Sequence, residues 1–119
     1  AEGTYRVQGR NPEEAEELLA DALALQNAGA FGIVLEGVQL DVAQRITESL
    51  EIPTIGIGAG PYCSGQIQVT HDILGLFEEF VPKHTRRYAT LAETTRKALS
   101  TYIRDVEAGE FPGAAESFE

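Results

Sequence analysis

The residue best placed to do chemistry in this chain is Glu36, a carboxylate that ends the apolar run 31–35. Gly37 follows it directly and would let a ligand or another backbone segment approach closely. A carboxylate held partly out of water at such a point has a raised pKa and can act as a general base. The alternative is a surface carboxylate at a strand end, with or without a role in capping the following helix. We predict the catalytic role for Glu36.

A second candidate is the glycine-rich turn at Gly56, Gly58 and Gly60, which follows an apolar run beginning at Ile52. Successive backbone N–H groups in such a turn can bind a phosphate group. The same glycines can equally serve tight packing where a strand ends. Both interpretations stay open from the residues alone.

Other reactive side chains have structural explanations. His71 and Asp72 are adjacent on a segment predicted to be extended, so they would point to opposite faces, and we expect His71 to donate to a backbone carbonyl. His84 lies in the basic stretch 82–87, which is typical of a solvated turn at a helix start. Cys63 has no neighbouring base and is expected to be an unreactive thiol.

The segments that would position Glu36 alternate between helical and extended patterns. Asn11, Pro12 and Glu14 predict a helix start with a capping box, and Gly29 predicts its end. The pattern then predicts a strand over 31–36, a helix over 40–50, a strand over 54–57, a loop over 58–65 and a long helical pattern from Thr85 to Val106, closed by Gly109 and Pro112, with a frayed tail over 113–119.

Two short segments compete for a third strand, 66–69 and 73–76, and we favour the second. Apolar runs preceded by helices predict parallel strands buried on both faces, with the ligand site outside their carboxyl ends. Three such strands leave two edges unpaired, so the sheet is either a small open α/β domain or part of a larger barrel. The glycine-rich loop after the middle strand favours the barrel.

Composition narrows the class of protein. The 119 residues, 43% of them hydrophobic, have the size of one domain. A net charge of −10 argues against nucleic acid and anionic membranes as partners. No apolar run approaches the roughly 20 residues that span a bilayer. The single Cys63 excludes an internal disulfide, so a reducing, cytoplasmic setting is expected. The absence of Met leads us to expect a processed or partial chain.

Short motifs occur in order along nearly the whole chain. They are YRVQGR (5–10), DALAL (21–25), AGAF (28–31), VLE (34–36), IPTIGIGAG (52–60), GQ (65–66), HD (71–72), LG (74–75) and GEFP (109–112). Each is weak alone, but the ordered set resembles the C-terminal half of the ketopantoate hydroxymethyltransferase family.

That resemblance implies an α/β fold in which residues 1–119 form the C-terminal part of a (β/α)₈ TIM barrel of the phosphoenolpyruvate/pyruvate type. The βα units would cover residues 1–84, and a C-terminal helical segment would cover 85–119. It also implies transfer of a hydroxymethyl group from 5,10-methylenetetrahydrofolate to 3-methyl-2-oxobutanoate, with Mg²⁺. Glu36 falls on the family's general base. The metal-binding carboxylates and the substrate-binding Ser and Lys are expected in the N-terminal half, so this chain alone should be inactive.

Two positions depart from the family pattern. Gly37-Val38-Gln39 follows Glu36 where the family usually has Val-Pro, and Ser64 stands where Asp is usual. We expect both to alter loops at the active-site face. The apolar face of the long helix, from Tyr88 to Val106, exceeds what three short strands cover, which predicts a homo-oligomer for the complete enzyme. The alternative function is a non-enzymatic α/β domain that binds phosphate with the loop from Gly56 to Gly60.

Overall fold

The computed structural model describes residues 6–119, which form two compact units. The first unit ends at Gln68, and the second comprises Val69–Glu119. The first contains α1 (Pro12–Asn27), β1 (Ile33–Glu36), α2 (Leu40–Ser49), β2 (Thr54–Ile57) and β3 (Gly65–Gln66). The second contains α3 (Thr70–Leu74), α4 (Leu91–Glu107) and a 3₁₀ turn at Ala114–Glu116. None of the helices in residues 6–119 is long and apolar enough to cross a membrane.

Helix α1 begins and ends where its capping residues predict. The Glu14 N–H donates to Oδ1 of Asn11 at 2.8 Å, and Pro12 occupies the first helical position. At the other end Gly29 has a φ of +105°, in the left-handed region. The N–H groups of Gly29 and Ala30 donate to carbonyls of the last turn, as in a Schellman motif. Local sequence therefore fixes the length of this helix.

The three strands of the first unit form a parallel sheet in the order β1-β2-β3. Strands β1 and β2 pair from Ile33 with Thr54 to Glu36 with Ile57. The predicted α/β class and the first two strands are confirmed. The carboxyl ends of β1 and β2 lie side by side, which brings Glu36 next to the start of the glycine-rich turn.

The third strand is not the segment that we favoured. It is the two-residue β3, while Ile73 and Leu74 lie in α3. The N–H groups of Asp72 and Ile73 donate to the Val69 carbonyl, and Gly75 ends the helix with a φ of +67°. A short apolar run does not distinguish a strand from a helical turn, which is why periodicity failed here.

Within the first unit, α1 and α2 cover the same face of the sheet. Ile33 and Leu35 of β1 are buried in one core with residues of both helices, namely Ala22 of α1 and Val42, Ala43 and Ile46 of α2. On the other face Val34 is 57% exposed, and Glu36 is also exposed. The prediction that β1 is buried on both faces is therefore wrong for this chain, because α1 and α2 cover the same side.

The last long helix starts later than its apolar pattern predicts. Helix α4 begins at Leu91 rather than near Thr85. In the preceding segment the Tyr88 N–H donates to the Ile73 carbonyl, and the Arg87 guanidinium donates to the Phe77 carbonyl at 2.6 Å. The main chain of Tyr88 is thus bonded to Ile73 instead of to a carbonyl one helical turn earlier.

The apolar face of α4 is only partly covered by other described residues. No residue of α4 is buried, and about half of the surface of Leu99, Tyr102, Ile103 and Val106 is exposed. The tail that follows is folded locally rather than frayed. The Phe111 ring packs edge-on against Tyr102, with centroids 5.4 Å apart, and the Gly113 N–H donates to Glu116 Oε1 at 2.8 Å.

We expect Ile46→Ala to destabilise the protein strongly. Ile46 is 1% exposed at the centre of the core between the helices and the sheet. Truncating a buried Ile to Ala removes apolar contacts and leaves a cavity, at a cost of about 2–5 kcal/mol. Urea unfolding of the complete protein measures the loss. Leu25→Ala is the control, because Leu25 is half exposed on α1, and an equal effect of the two would contradict this core.

Candidate active site

Glu36 lies at the carboxyl end of β1, on the face of the sheet that α1 and α2 do not cover. Its side chain is exposed and makes no hydrogen bond or ion pair with another described residue. It does not cap α2 either, because the residue before that helix is Gln39, which provides no side-chain cap. Only the capping part of the alternative is wrong. The exposed position of Glu36 agrees with a surface carboxylate as well as with a carboxylate that is accessible to a ligand, rather than with one held partly out of water.

The backbone directly after Glu36 is held from two sides. Gly37 is buried and has a φ of +62°, a conformation that favours glycine. Its N–H donates to the Ile57 carbonyl of β2 at 2.9 Å. Its carbonyl accepts from the Gln8 N–H at 2.6 Å. The close backbone approach expected at Gly37 is thus provided by the chain itself.

Gln8 also bonds to Gln39, the residue directly before α2. The Gln39 N–H donates to the Gln8 carbonyl at 2.9 Å, so that Gln8 and Val38 form a parallel bridge. Proline, the residue expected at position 39 from the resemblance, has no N–H and could not make this bond. Position 39 therefore affects how the loop after Glu36 is fixed.

The segment that contains Gln8 is anchored by Glu14. Oε1 of Glu14 accepts from the N–H of Gly9 at 2.8 Å and from that of Arg10 at 3.3 Å. Oε2 of Glu14 pairs with the Arg6 guanidinium at 2.5 Å. The hydrogen bond from Arg6 contributes most, and that from Gly9 next, to lowering the pKa of Glu14. The sequence predicted Glu14 as a capping-box residue, but its carboxylate reaches past the cap to the two residues before it.

Tight packing accounts for two glycines of the glycine-rich turn. A Cβ on Gly60 would lie 2.4 Å from Cβ of Leu40 at the start of α2, and a Cβ on Gly56 would lie 2.9 Å from Cys63 Sγ. Ala59 is buried in the core, and the Gln66 side chain donates to the Gly60 carbonyl at 2.9 Å. Of the two interpretations left open, the contacts support packing, and phosphate binding stays untested.

Ser64 does not lie where we expected it. Its Oγ accepts from the Thr54 N–H at 3.0 Å, and its N–H donates to Thr54 Oγ1 at 3.1 Å. Thr54 is fully buried and begins β2, so this reciprocal pair lies at the opposite end of the sheet from Glu36. The hydroxyl of Ser64 therefore fixes the start of the strands rather than the active-site face.

The other predicted side chains are distributed over both units. His71 and Asp72 belong to α3, not to an extended segment, and the His71 imidazole makes no hydrogen bond with another described residue. The prediction that it donates to a carbonyl is therefore wrong. His84 is half-buried in the second unit, where no helix starts at residue 85. Cys63 is half-buried against the core of the first unit.

The described residues do not assemble a metal site by themselves. Among residues 6–119 there is no group of three or more His, Cys, Asp and Glu side chains that could hold a metal ion. The candidate site consists of one accessible carboxylate at a strand end, with a backbone held by the segment before α1 and by β2. Such a site could remove a proton, but a charged substrate would need further groups.

Comparison with known proteins identifies the relatives of this chain. A model of the family described as ketopantoate hydroxymethyltransferase matches residues 1–114. The 3-methyl-2-oxobutanoate hydroxymethyltransferase of Chloroflexus aggregans is 61% identical over 112 residues, which cover 94% of this chain and 40% of that protein. The enzyme of the same name from Geotalea daltonii is 57% identical over 116 residues, covering 98% and 43%. The chain thus spans about two-fifths of these relatives.

We predict that Gly60→Ala destabilises the protein more than Gly109→Ala does. Both glycines have nearly the same left-handed backbone, with φ of +80° and +77°, which costs an alanine about 1–2 kcal/mol. At Gly60 the new Cβ would lie 2.4 Å from Cβ and 3.1 Å from Cα of Leu40. At Gly109 nothing lies within 4 Å of the new Cβ. Overpacking should add about 1–3 kcal/mol. Equal unfolding midpoints in urea would show that the turn is not docked on α2.

The contact between Glu14 and the preceding segment should give an acid-dependent stability. Because the pKa of Glu14 is lowered in the folded state, its contribution is present above the ordinary value of 4.5 and is lost as the pH falls through the folded pKa. Glu14→Gln removes this titration. We expect the difference in thermal midpoint between the two proteins to shrink on acidification below pH 4.5. A difference that does not change with pH would rule the ionised pair out as its source.

Proposed function

The chain belongs to the ketopantoate hydroxymethyltransferase family, and from that premise we propose that the complete protein transfers a hydroxymethyl group from 5,10-methylenetetrahydrofolate to 3-methyl-2-oxobutanoate. The product is 2-dehydropantoate, and the reaction is a step in pantothenate biosynthesis. The observation that carries the proposal is the 61% identity, over 94% of this chain, to an enzyme named for that reaction. The phosphate-binding alternative stays untested.

We propose that Glu36 is the general base of this reaction. Its carboxylate accepts the proton from the substrate carbon next to the ketone, which leaves an enolate. The enolate carbon then forms the new bond to the one-carbon unit of the folate, and both carbon–nitrogen bonds of that unit break. Water supplies the hydroxyl group of the product, and tetrahydrofolate leaves after its two nitrogens have taken up the proton from the substrate carbon and one from the water. The exposed position of Glu36 at the end of β1 supports the role, because ligand sites of parallel α/β sheets lie outside these ends.

The role also requires a base that is held in one place. A base acts efficiently only within hydrogen-bond reach of its proton, about 2.6–3.2 Å between heavy atoms. The N–H and the carbonyl of Gly37 are both bonded to neighbouring segments, so the main chain on the carboxyl side of Glu36 has little freedom. The side chain of Glu36 can then adapt to the substrate while its Cα stays fixed.

We propose that the first unit is part of a (β/α)₈ barrel. In such a barrel all helices cover the outer face of the sheet, and the inner face carries packed side chains. Two observations support this: α1 and α2 cover one face, and the apolar Val34 is exposed on the other. A doubly wound sheet would need helices on both faces. The remaining strands would come from the part of the protein outside this chain.

We propose that Mg²⁺ takes part, with ligands outside this chain. Its chemistry in such a reaction is stabilisation of the negative charge that develops on the keto oxygen. Residues 6–119 do not supply a set of metal ligands, so no step is assigned to the metal.

The exposed apolar side chains of α4 support the further proposal of a homo-oligomer. The cytoplasmic setting stays a prediction.

The test of the base is Glu36→Gln in the complete enzyme. The amide keeps the size of the side chain but cannot accept the proton, and we expect kcat to fall by about 10²–10⁴-fold. Mg²⁺ affinity and the thermal midpoint should stay close to those of the wild type. Steady-state kinetics with 3-methyl-2-oxobutanoate and the folate measure the change.

Glu51→Gln is the matched control for this experiment. Glu51 is also exposed, but it lies before β2, at the end of the sheet where the strands begin. In a barrel that end concerns stability rather than catalysis. Its kcat should match the wild type. A Glu36→Gln enzyme with kcat within about twofold of wild type would remove Glu36 from the role.

A further inference from the structure

The carboxylate of Glu14 makes more contacts than a helix cap requires. Three groups of residues 6–10 converge on it: the Arg6 guanidinium and the N–H groups of Gly9 and Arg10. Its side chain is 20% exposed. We refer to residues 6–10 as the entry segment. Glu14 therefore fixes the entry segment to the first turn of α1.

The entry segment is also seated between the two helices. Gly9 is buried and has a φ of +85°. A Cβ on Gly9 would lie 3.2 Å from Val42 of α2 and 3.4 Å from Leu18 of α1. The backbone of Gly9 thus lies in a narrow space, where it is held on one side by Glu14 and on the other by Val42.

The entry segment in turn holds the loop after Glu36. The Gln8 N–H donates to the Gly37 carbonyl, and the Gln8 carbonyl accepts from the Gln39 N–H. Gln8 is the neighbour of Gly9 in sequence, so the path from the Glu14 carboxylate to the residue after Glu36 consists of two hydrogen bonds and the main chain of Gln8. Every member of this path except Glu14 contributes through its main chain.

We propose that Glu14 is a positioning residue for Glu36, acting through the main chain of Gly9, Gln8 and Gly37. The proposal rests on the proposed role of Glu36 as the base. Glu14 does not touch the substrate. It fixes the entry segment, which fixes the loop that follows Glu36. Loss of its carboxylate would allow this loop to shift, and the base would lose its alignment with the proton.

The first test compares Glu14→Ala with Glu14→Gln in the complete enzyme. Alanine removes the acceptor for Gly9 and Arg10, whereas the Gln carbonyl oxygen retains it. Since a misplacement of about 1 Å costs up to about 10²-fold, we expect Glu14→Ala to lower kcat by about tenfold or more, with KM for the keto acid changed by less than about twofold. Glu14→Gln should restore most of the activity.

Glu13→Ala is the matched control. Glu13 is the other acidic residue of the first turn of α1, and its side chain makes no hydrogen bond with another described residue. Like Glu14, it places a negative charge near the positive end of the helix dipole. Glu13→Ala therefore reproduces the loss of that charge without the loss of the hydrogen bonds to residues 6–10. Its kcat should equal that of the wild type. If Glu13→Ala and Glu14→Ala lower kcat equally, the helix end explains the effect and the proposal fails.

A double-mutant cycle separates positioning from general damage. If Glu14 acts only through Glu36, adding Glu14→Ala to the Glu36→Gln enzyme should lower kcat by less than about twofold further. Two independent effects would instead multiply, and that result would overturn the proposal. Should Glu14→Ala fail to fold, Glu14→Asp replaces it, because the shorter side chain keeps the charge but cannot reach the Gly9 N–H in the same geometry.

Amide hydrogen exchange tests the path without relying on the reaction. In Glu14→Ala, exchange should become faster both in residues 6–10 and in residues 37–39, and Glu14→Gln should slow it again. Faster exchange confined to residues 6–10 would overturn the proposal. If Glu36→Gln keeps full activity, the proposed base is wrong, while the exchange data still decide whether Glu14 holds the loop after β1.

Discussion

The position of the candidate base depends on the two peptide groups that flank Gly37. One donates its N–H to β2, and the other offers its carbonyl to Gln8. A buried peptide group without a partner costs about as much as a lost hydrogen bond, so both bonds must form wherever Gly37 is buried. The left-handed backbone of Gly37 turns the chain between these partners. This requirement sets the direction in which Glu36 leaves the sheet, and it links the strand, the entry segment and the start of α2.

The charge balance of the first unit constrains how an anionic substrate could bind. A keto acid and the carboxylate of Glu36 repel each other, and the whole chain carries a formal charge of −10. In the described part of the first unit, Arg6 and Arg45 are paired with Glu14 and Glu16, whereas Arg10 is exposed and has no ion pair. A metal ion with ligands outside this chain, as we propose, would supply a further cation for the proposed reaction. The chain spans about two-fifths of its relatives, so this division of roles between segments is physically reasonable.

Sequence reasoning predicted best those features that local chemistry determines. The cap at Asn11, the proline that follows it and the glycine at position 29 defined α1, because each acts within one helical turn. It failed where the outcome depended on distant partners. Ile73 and Leu74 lie in a short helix closed by Gly75, and Tyr88 and Arg87 bond to Ile73 and Phe77 in the segment before α4. The exposed face of β1 was missed for a similar reason, since a run of apolar residues does not reveal which side the helices cover.

The candidate site shows the same division at the level of single residues. Glu36 could be predicted, since a carboxylate after an apolar run is a local signal, and its strand-end position is confirmed. Glu14 was recognised only as a capping residue. The spacing from Asn11 predicted the helix start correctly, yet the partners of the carboxylate are Gly9 and Arg10, whose positions depend on packing against Val42. A capping motif in the sequence thus predicts where a carboxylate lies, but not which N–H groups donate hydrogen bonds to it. Where the segment before a helix also bonds to the loop at a strand end, such a carboxylate fixes both the helix start and the position of that loop.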